Sequence, residues 1–217
     1  MMRAAVRSGS VAMFVGIAVA CASPPAPSHS APPTGQPFPA DQIDRLPVPI
    51  EQVPLVGDTI NRDYPPATER APQTYSAQAG GPCGQLNGAN DDLAVFGSDT
   101  LAFRSTRYSG FSNVHIDQAI AVYPDIVSAQ TRFAKLVDAA NVCKSAGGPT
   151  AVATVDPTMV VWQTPAGSGD AGPTLHADQA RLVLNVVVRV NVAQFDRSPD
   201  IAANIADQIA AKINNPT

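Results

Sequence analysis

Two histidines lie in the part of the chain that can fold, and one of them, His115, stands two residues before Asp117. Alternate residues of a strand share a face, so this carboxylate could orient the imidazole for base catalysis. Such pairs are also common on strand surfaces, and the sequence lacks the G-x-S-x-G, H-E-x-x-H and C-x-x-C motifs. We therefore predict no catalytic residue and no enzymatic activity. A hydrolase that uses His115 is the weakest alternative.

The second informative pattern is a polar strand face. Residues 181–192 carry apolar side chains at even positions and mostly polar ones between them, which is typical of a strand with one buried face. Together with the His–Asp pair, these polar side chains could hold an anion or a sugar on the face that points away from the helices. A merely solvated sheet face is the alternative. The candidate ligand-binding residues are His115, Asp117, Asn185, Arg189 and Asn191.

Metal binding has little support in the sequence. Asp91 and Asp92 follow Asn90 in a turn-rich segment and could bind calcium, but a solvated turn explains them more simply. We predict no metal ligand and no cofactor. Arg104 and Arg107 are three residues apart in a strand and face opposite sides, so only one of them can join the polar face.

The polar face must be built by strands. Alternation and turn residues predict hairpins at residues 101–123 and 150–164 and a twelve-residue strand at residues 181–192. Residues 166–172 read as a flexible loop. Amphipathic periodicity predicts two helices, at residues 125–144 and 198–213, and both need an apolar sheet face to cover. We therefore predict a single-domain α+β fold, an antiparallel sheet with helices packed on one face.

The first 21 residues indicate where the domain works. Arg3 and Arg7 precede a mostly apolar run that ends in small residues, as in a secretory signal. Residues 18–21, AVAC, resemble a bacterial lipobox, in which Cys21 would be acylated. Ala18 stands where leucine is usual, which keeps ordinary A-x-A cleavage open. The odd total of three cysteines favours acylation, because it leaves an even pair in the domain.

These features predict three parts: a lipoprotein signal peptide at residues 1–20, a lipid-anchored Pro/Ser-rich tether at 21–39, and a domain at 40–217. The tether would extend by about 3.1 Å per residue. Prolines in residues 41–58 allow only short helical turns. We expect a lipid-anchored protein on the extracytoplasmic side of the cell membrane. Its net charge of −4, which becomes −6 without the two leader arginines, argues against nucleic acid as a partner.

Five features follow one another in the domain: Cys83, QAIAVYP at residues 118–124, AQTRFAKLVDAANVC at 129–143, NVVVRV at 185–190 and a final helix at 201–213. In their order and spacing they resemble the PknH-like extracellular sensor domain of mycobacteria. That domain occurs at the outer end of a transmembrane serine/threonine kinase and in stand-alone lipoproteins. The resemblance covers the chain from about residue 40 onward. It implies an α+β domain with a cleft that binds an unidentified ligand.

The resemblance also implies two disulfides in the family's fuller form, of which this chain has cysteines only for the first, Cys83–Cys143. The second pair is missing, so we expect looser loops near Gly172 and Phe195. A disulfide between Cys83 and Cys143 also agrees with an oxidising compartment, where two thiols of one domain are normally joined. Closing this loop should stabilise the domain by roughly 4 to 5 kcal/mol in the chain-entropy model.

Two functions remain open from the sequence. The first is a membrane-anchored cell-envelope lipoprotein whose sensor-like domain binds a small molecule, glycan or lipid in a cleft. The second is a non-catalytic interaction module for another envelope protein. The expected partners are the membrane, through acylated Cys21, and either such a ligand or such a protein.

Overall fold

The computed structural model describes residues 35–54, 56, 60–61, 64–73, 81–87, 92–110, 114–169, 172–193 and 197–215. The predicted signal peptide, Cys21, Asp91 and the loop at Phe195 lie outside these ranges. Within them, no helix is both long and apolar enough to cross a membrane.

An antiparallel sheet of seven strands forms the centre of the domain. The strands are β1 (Ala67–Glu69), β2 (Ala102–Ser109), β3 (His115–Val122), β4 (Ala151–Asp156), β5 (Met159–Gly169), β6 (Gly172–Val183) and β7 (Val186–Ala193). Their order in the sheet is β1-β2-β3-β7-β6-β5-β4, which places β7 at the centre. The predicted α+β class and antiparallel sheet are confirmed.

Four helices and two 3₁₀ turns accompany the sheet in the described ranges. The 3₁₀ turns are Ala40–Arg45 and Ile50–Gln52, and the helices are α1 (Gly84–Asn87), α2 (Asp92–Phe96), α3 (Ile126–Ala146) and α4 (Ser198–Asn214). Helix α3 begins after Asp125, whose side chain accepts a hydrogen bond from the Ser128 amide, and it ends before Gly147 at φ 68°. Both ends follow ordinary capping chemistry.

The two long helices pack on opposite faces of the sheet, not on the single face that the sequence predicts. One core joins the even residues of β7 to α4 and the 3₁₀ turns. The other joins Val187 to α1, α2 and α3. All eight residues of β7 are buried. A central strand that is buried on both faces needs a cover on each, which explains the arrangement.

The predicted twelve-residue strand is in fact a hairpin. Strand β6 ends at Val183, Leu184 and Asn185 form the turn, and β7 begins at Val186. No glycine or proline marks this turn, and Leu184 adopts φ 53°, a conformation that disfavours non-glycine residues. Within the predicted loop at residues 166–172, residues 166–169 belong to β5 and Gly172 to β6, and Gly169 pairs with Gly172.

The segment before β1 is fixed to the domain earlier than predicted. Phe38, assigned to the tether, is 5% exposed and belongs to the core beside α4. The predicted short helical turns are confirmed. Gln118 holds them through two hydrogen bonds to the backbone of Val48, and Lys212 donates to the carbonyls of Leu46 and Pro47.

A disulfide joins Cys83 to Cys143, as predicted, and links the start of α1 to the last turns of α3. Trp162 is fully buried near it, and its indole nitrogen donates to the carbonyl of Leu86. The bridge therefore closes the core on the α3 face.

Candidate functional site

Four of the five predicted site residues, His115, Asp117, Arg189 and Asn191, meet at the end of β7 away from the β6–β7 turn. The register places Asn191 between Asp117 of β3 and Asp178 of β6. Ala193, two residues further, lies between His115 and His176. Residues two apart on a strand share a face, so these side chains lie together on the α3 face. We call the group the distal cluster: Arg107, His115, Asp117, His176, Asp178, Arg189 and Asn191.

A buried ion pair forms the floor of the distal cluster. Arg189 donates to Asp178 Oδ1 through Nε at 3.0 Å and Nη2 at 2.9 Å, and these side chains are 3% and 1% exposed. The guanidinium also lies 5.7 Å from the Trp162 ring. Burial raises the pKa of the Asp178 carboxyl, and the Arg189 charge opposes this. Because Nε and Nη2 both donate to Asp178, Arg189 fixes this carboxylate at the base of the cluster.

Asn191 connects this floor to the two imidazoles. Its amide nitrogen donates to Asp178 Oδ2 at 2.9 Å. A carboxylate only accepts, so the amide oxygen must point the other way. That oxygen lies 3.2 Å from His115 Nε2 and 3.5 Å from His176 Nδ1. The two rings are 5.4 Å apart.

The imidazoles and a second ion pair form the partly exposed rim. Arg107 binds Asp117 through both oxygens, at 2.5 and 2.7 Å, and Asp117 Oδ2 lies 3.6 Å from His115 Nε2. Burial, and then the nearby His115 charge, lower the pKa of His176, so its neutral form is favoured. Arg104 lies on the other face, 3.6 Å from Asp44, as expected for the arginine that does not join.

A third carboxylate is close enough to the distal cluster to sense its charges. Burial raises the pKa of Asp92 to about 6, while Arg189 and Arg107 oppose this rise and Asp117 adds to it. Asp92 is partly buried at the start of α2, so the predicted solvated turn is wrong for this residue. Across the described residues, no group of three or more His, Cys, Asp or Glu could hold a metal ion.

Asn185 does not belong to the site, contrary to the sequence prediction. It lies in the β6–β7 turn, at the opposite end of β7, and is 2% exposed. Its side chain accepts from the Phe38 amide at 2.6 Å and donates to the carbonyls of Phe38 and Tyr123. These contacts fix the segment around Phe38 to the sheet, and we call them the Asn185 clamp. The mistake follows from treating residues 181–192 as one strand.

A concavity, the proximal groove, lies beside this clamp. It has a volume of about 450 Å³ and is lined by Pro37, Phe38, Leu184, Ile213 and neighbouring residues. One end of β7 therefore carries a polar cluster, and the other end lies beside a groove.

Sequence reasoning missed His176, Asp178 and Asp92 as members of the site or its surroundings, and it left open whether Arg104 or Arg107 joins the site. One signal was present: His115-Ile116-Asp117 and His176-Ala177-Asp178 repeat the pattern His-x-Asp on two strands. The pairing of both strands with β7 is what brings the repeats together.

The seven-stranded α+β fold is that of a PknH-like extracellular domain. The PknH-like extracellular domain family matches residues 38–212, so the chain belongs to this family. The crystal structure of the extracellular domain of PknH from Mycobacterium tuberculosis is similar, with a TM-score of 0.67 and 16% identity over 82% of this chain and 98% of that chain. At this identity the similarity establishes the fold.

The other comparisons add little. The solved structure of Mll3558 protein from Rhizobium loti is 10% identical over 68% of this chain and 95% of that chain, and its TM-score of 0.18 supports no argument. No curated protein matches this chain in sequence.

Proposed function

We propose that this chain is a lipid-anchored protein of the cell envelope whose PknH-like domain binds an unidentified ligand at the distal cluster, without catalysing a reaction. One observation supports this most: a buried Arg189–Asp178 pair holds Asn191 beneath two partly exposed imidazoles. Burying an ion pair rarely adds net stability, because the desolvation of both charges offsets their attraction. A role in positioning the rim accounts for the pair better.

The arrangement of the chain also fits an anchored receptor. Asn185 fixes Phe38 at the proximal end of β7. The distal cluster lies some five to seven residues along this strand, roughly 20 Å away at the usual strand rise. If acylated Cys21 holds the preceding segment at the membrane, the cluster sits at the far end of the strand from the point where the tether enters.

Native mass spectrometry tests the ligand directly. The full-length chain would be expressed in a mycobacterial host and purified in mild detergent. We expect a reproducible additional mass that disappears on denaturation. A bare chain, together with recovery of a cross-linked envelope protein from intact cells, would contradict ligand binding and favour the interaction-module alternative.

A further inference from the structure

We propose that the distal cluster binds one transition-metal ion, with His115 Nε2, His176 Nδ1 and Asn191 Oδ1 as ligands. This inference rests on the proposed function and deepens it by naming the class of ligand. It departs from the sequence prediction that no metal site exists. The three atoms come from three adjacent strands, β3, β6 and β7.

The distances from Asn191 Oδ1 to the two ring nitrogens match those between ligands of one metal ion. The ring nitrogens lie 3.2 and 3.5 Å from Asn191 Oδ1, which is longer than a usual N–H···O bond of about 2.9–3.0 Å. Metal–ligand bonds of about 2.0–2.1 Å at tetrahedral angles separate two ligand atoms by about 3.3 Å. Two imidazoles on one ion place their centroids roughly 5 Å apart, and here they are 5.4 Å apart.

The surrounding hydrogen bonds already orient the amide ligand. Asp178 accepts from Asn191 Nδ2 and so directs Oδ1 at the imidazoles, and Arg189 fixes Asp178 in turn. Outer contacts of this kind hold the ligands of metal sites in proteins. Asp117 Oδ2 lies 3.6 Å from His115 Nε2 but accepts a hydrogen bond from Arg107, so the fourth ligand would be a water molecule.

The two arginines beside the ligand atoms are each paired with a carboxylate. Arg107 pairs with Asp117, and Arg189 pairs with Asp178. Because these ion pairs offset the guanidinium charges, the arginines do not repel an incoming cation strongly.

The ligand set also indicates which metals fit. No three His, Cys, Asp or Glu side chains within the described ranges could hold an ion by themselves, so the site depends on two imidazoles, an amide oxygen and water. Imidazole ligands suit Cu²⁺, Ni²⁺ and Zn²⁺, whereas Ca²⁺ and Mg²⁺ require more oxygen ligands. We expect one equivalent of Cu²⁺ to bind most tightly, followed by Ni²⁺ or Zn²⁺, and no binding of Ca²⁺.

Titration of the metal-free, full-length chain without a histidine tag tests this. Cu²⁺ and Zn²⁺ would be added against a competing chelator. We expect His115→Ala and His176→Ala each to weaken binding at least about tenfold. His29→Ala is the matched control, because it removes the chain's third histidine, and it should leave the affinity unchanged. Electron paramagnetic resonance of the Cu²⁺ form should show coupling to two imidazole nitrogens.

Three results would overturn the proposal: no stoichiometric binding, binding that neither cluster variant weakens, or equal loss in His29→Ala. If the variants unfold, the resonance spectrum of the unmodified chain decides, since coupling to fewer than two imidazoles excludes the site. An organic mass in the native spectrum without metal binding would overturn this inference alone and leave the proposed function standing.

Discussion

At the scale of residues, the distal cluster depends on charges that a ligand would not touch. Asp178 accepts from both Arg189 and Asn191, so removing either Asp178 or Arg189 would leave the other charge buried and unpaired. Such a change typically destabilises a protein by about 3–5 kcal/mol. Arg189 is therefore a poor residue with which to test binding, whereas the partly exposed histidines can be changed at a smaller structural cost.

Asp92 gives the clearest prediction at this scale. Its pKa is raised to about 6, so the folded state holds this proton more tightly than the unfolded state. The free energy of unfolding should fall as the pH rises from about 4 to about 6, and the loss persists at neutral pH. Asp92→Asn removes the cost of ionisation and should stabilise the chain at pH 7.5 by on the order of 2 kcal/mol, with little effect at pH 4.

Denaturant unfolding of the Asp92→Asn and unmodified chains at the two pH values measures this difference. Asp138→Asn, at an exposed position of α3, is the control and should change little at either pH. A loss of stability in Asp92→Asn at pH 7.5 would show that the ionised carboxylate is favourable where it lies.

Part of the site was predictable from residue patterns. Strand alternation correctly groups His115 with Asp117 and Arg189 with Asn191, because a period of two is a local property. Their meeting with His176 and Asp178 depends on which strands flank β7. The local sequence does not show which distant strands pair, apart from the repeated His-x-Asp pattern.

At the scale of elements, the β6–β7 turn shows how tertiary contacts can replace local turn signals. Leu184 takes a φ of 53° without being glycine, which costs of order 1–2 kcal/mol. Asn185 offsets this through hydrogen bonds to Phe38 and Tyr123, which are distant in the sequence. The alternation of apolar and polar residues continues through the turn, because Leu184 falls at an apolar position and Asn185 at a polar one. The burial of the second face of β7 was not predictable for a related reason, since buried Arg189 and Asn191 look like surface residues in the sequence.

The Asn185 clamp predicts a large effect for a single amide. Asn185→Ala leaves the amide and carbonyl of Phe38 and the carbonyl of Tyr123 without this partner. Each buried, unsatisfied group costs about 1–3 kcal/mol, so we expect a total loss of roughly 2–4 kcal/mol. Asn141→Ala, on the exposed side of α3, is the matched control. Chemical denaturation measures both, and similar small losses in the two variants would contradict the clamp.

At the scale of the whole molecule, the two ends of β7 have different roles. The proximal end holds the incoming chain through Phe38 and the 3₁₀ turns. The distal end carries the polar cluster. The α+β class was predictable because it follows from strand alternation and helical periodicity. The placement of the Phe38 contacts at one end of β7 and of the polar cluster at the other depends on the strand order, which the sequence does not show.

The anchor is tested at the same scale. Cys21→Ala removes the only thiol that could take the predicted lipid, and it should move the protein from the membrane fraction to the soluble fraction. Detergent partitioning of cells that express either form measures this, with Cys83→Ser/Cys143→Ser as the control that loses the disulfide but keeps Cys21. Retention of Cys21→Ala in membranes would mean that another segment holds the protein there.

Hydrogen exchange tests the central claim, that the ligand binds at the distal end, most directly. The exchange of backbone amides would be compared between the chain as purified with its ligand and the same chain after the ligand is removed. When the ligand is bound, we predict slower exchange at the start of β3 and in the β6 and β7 residues around the distal cluster. Exchange at the proximal groove should be unchanged. Protection confined to Phe38, Leu184 and the end of α4 would place the ligand in that groove and contradict the account.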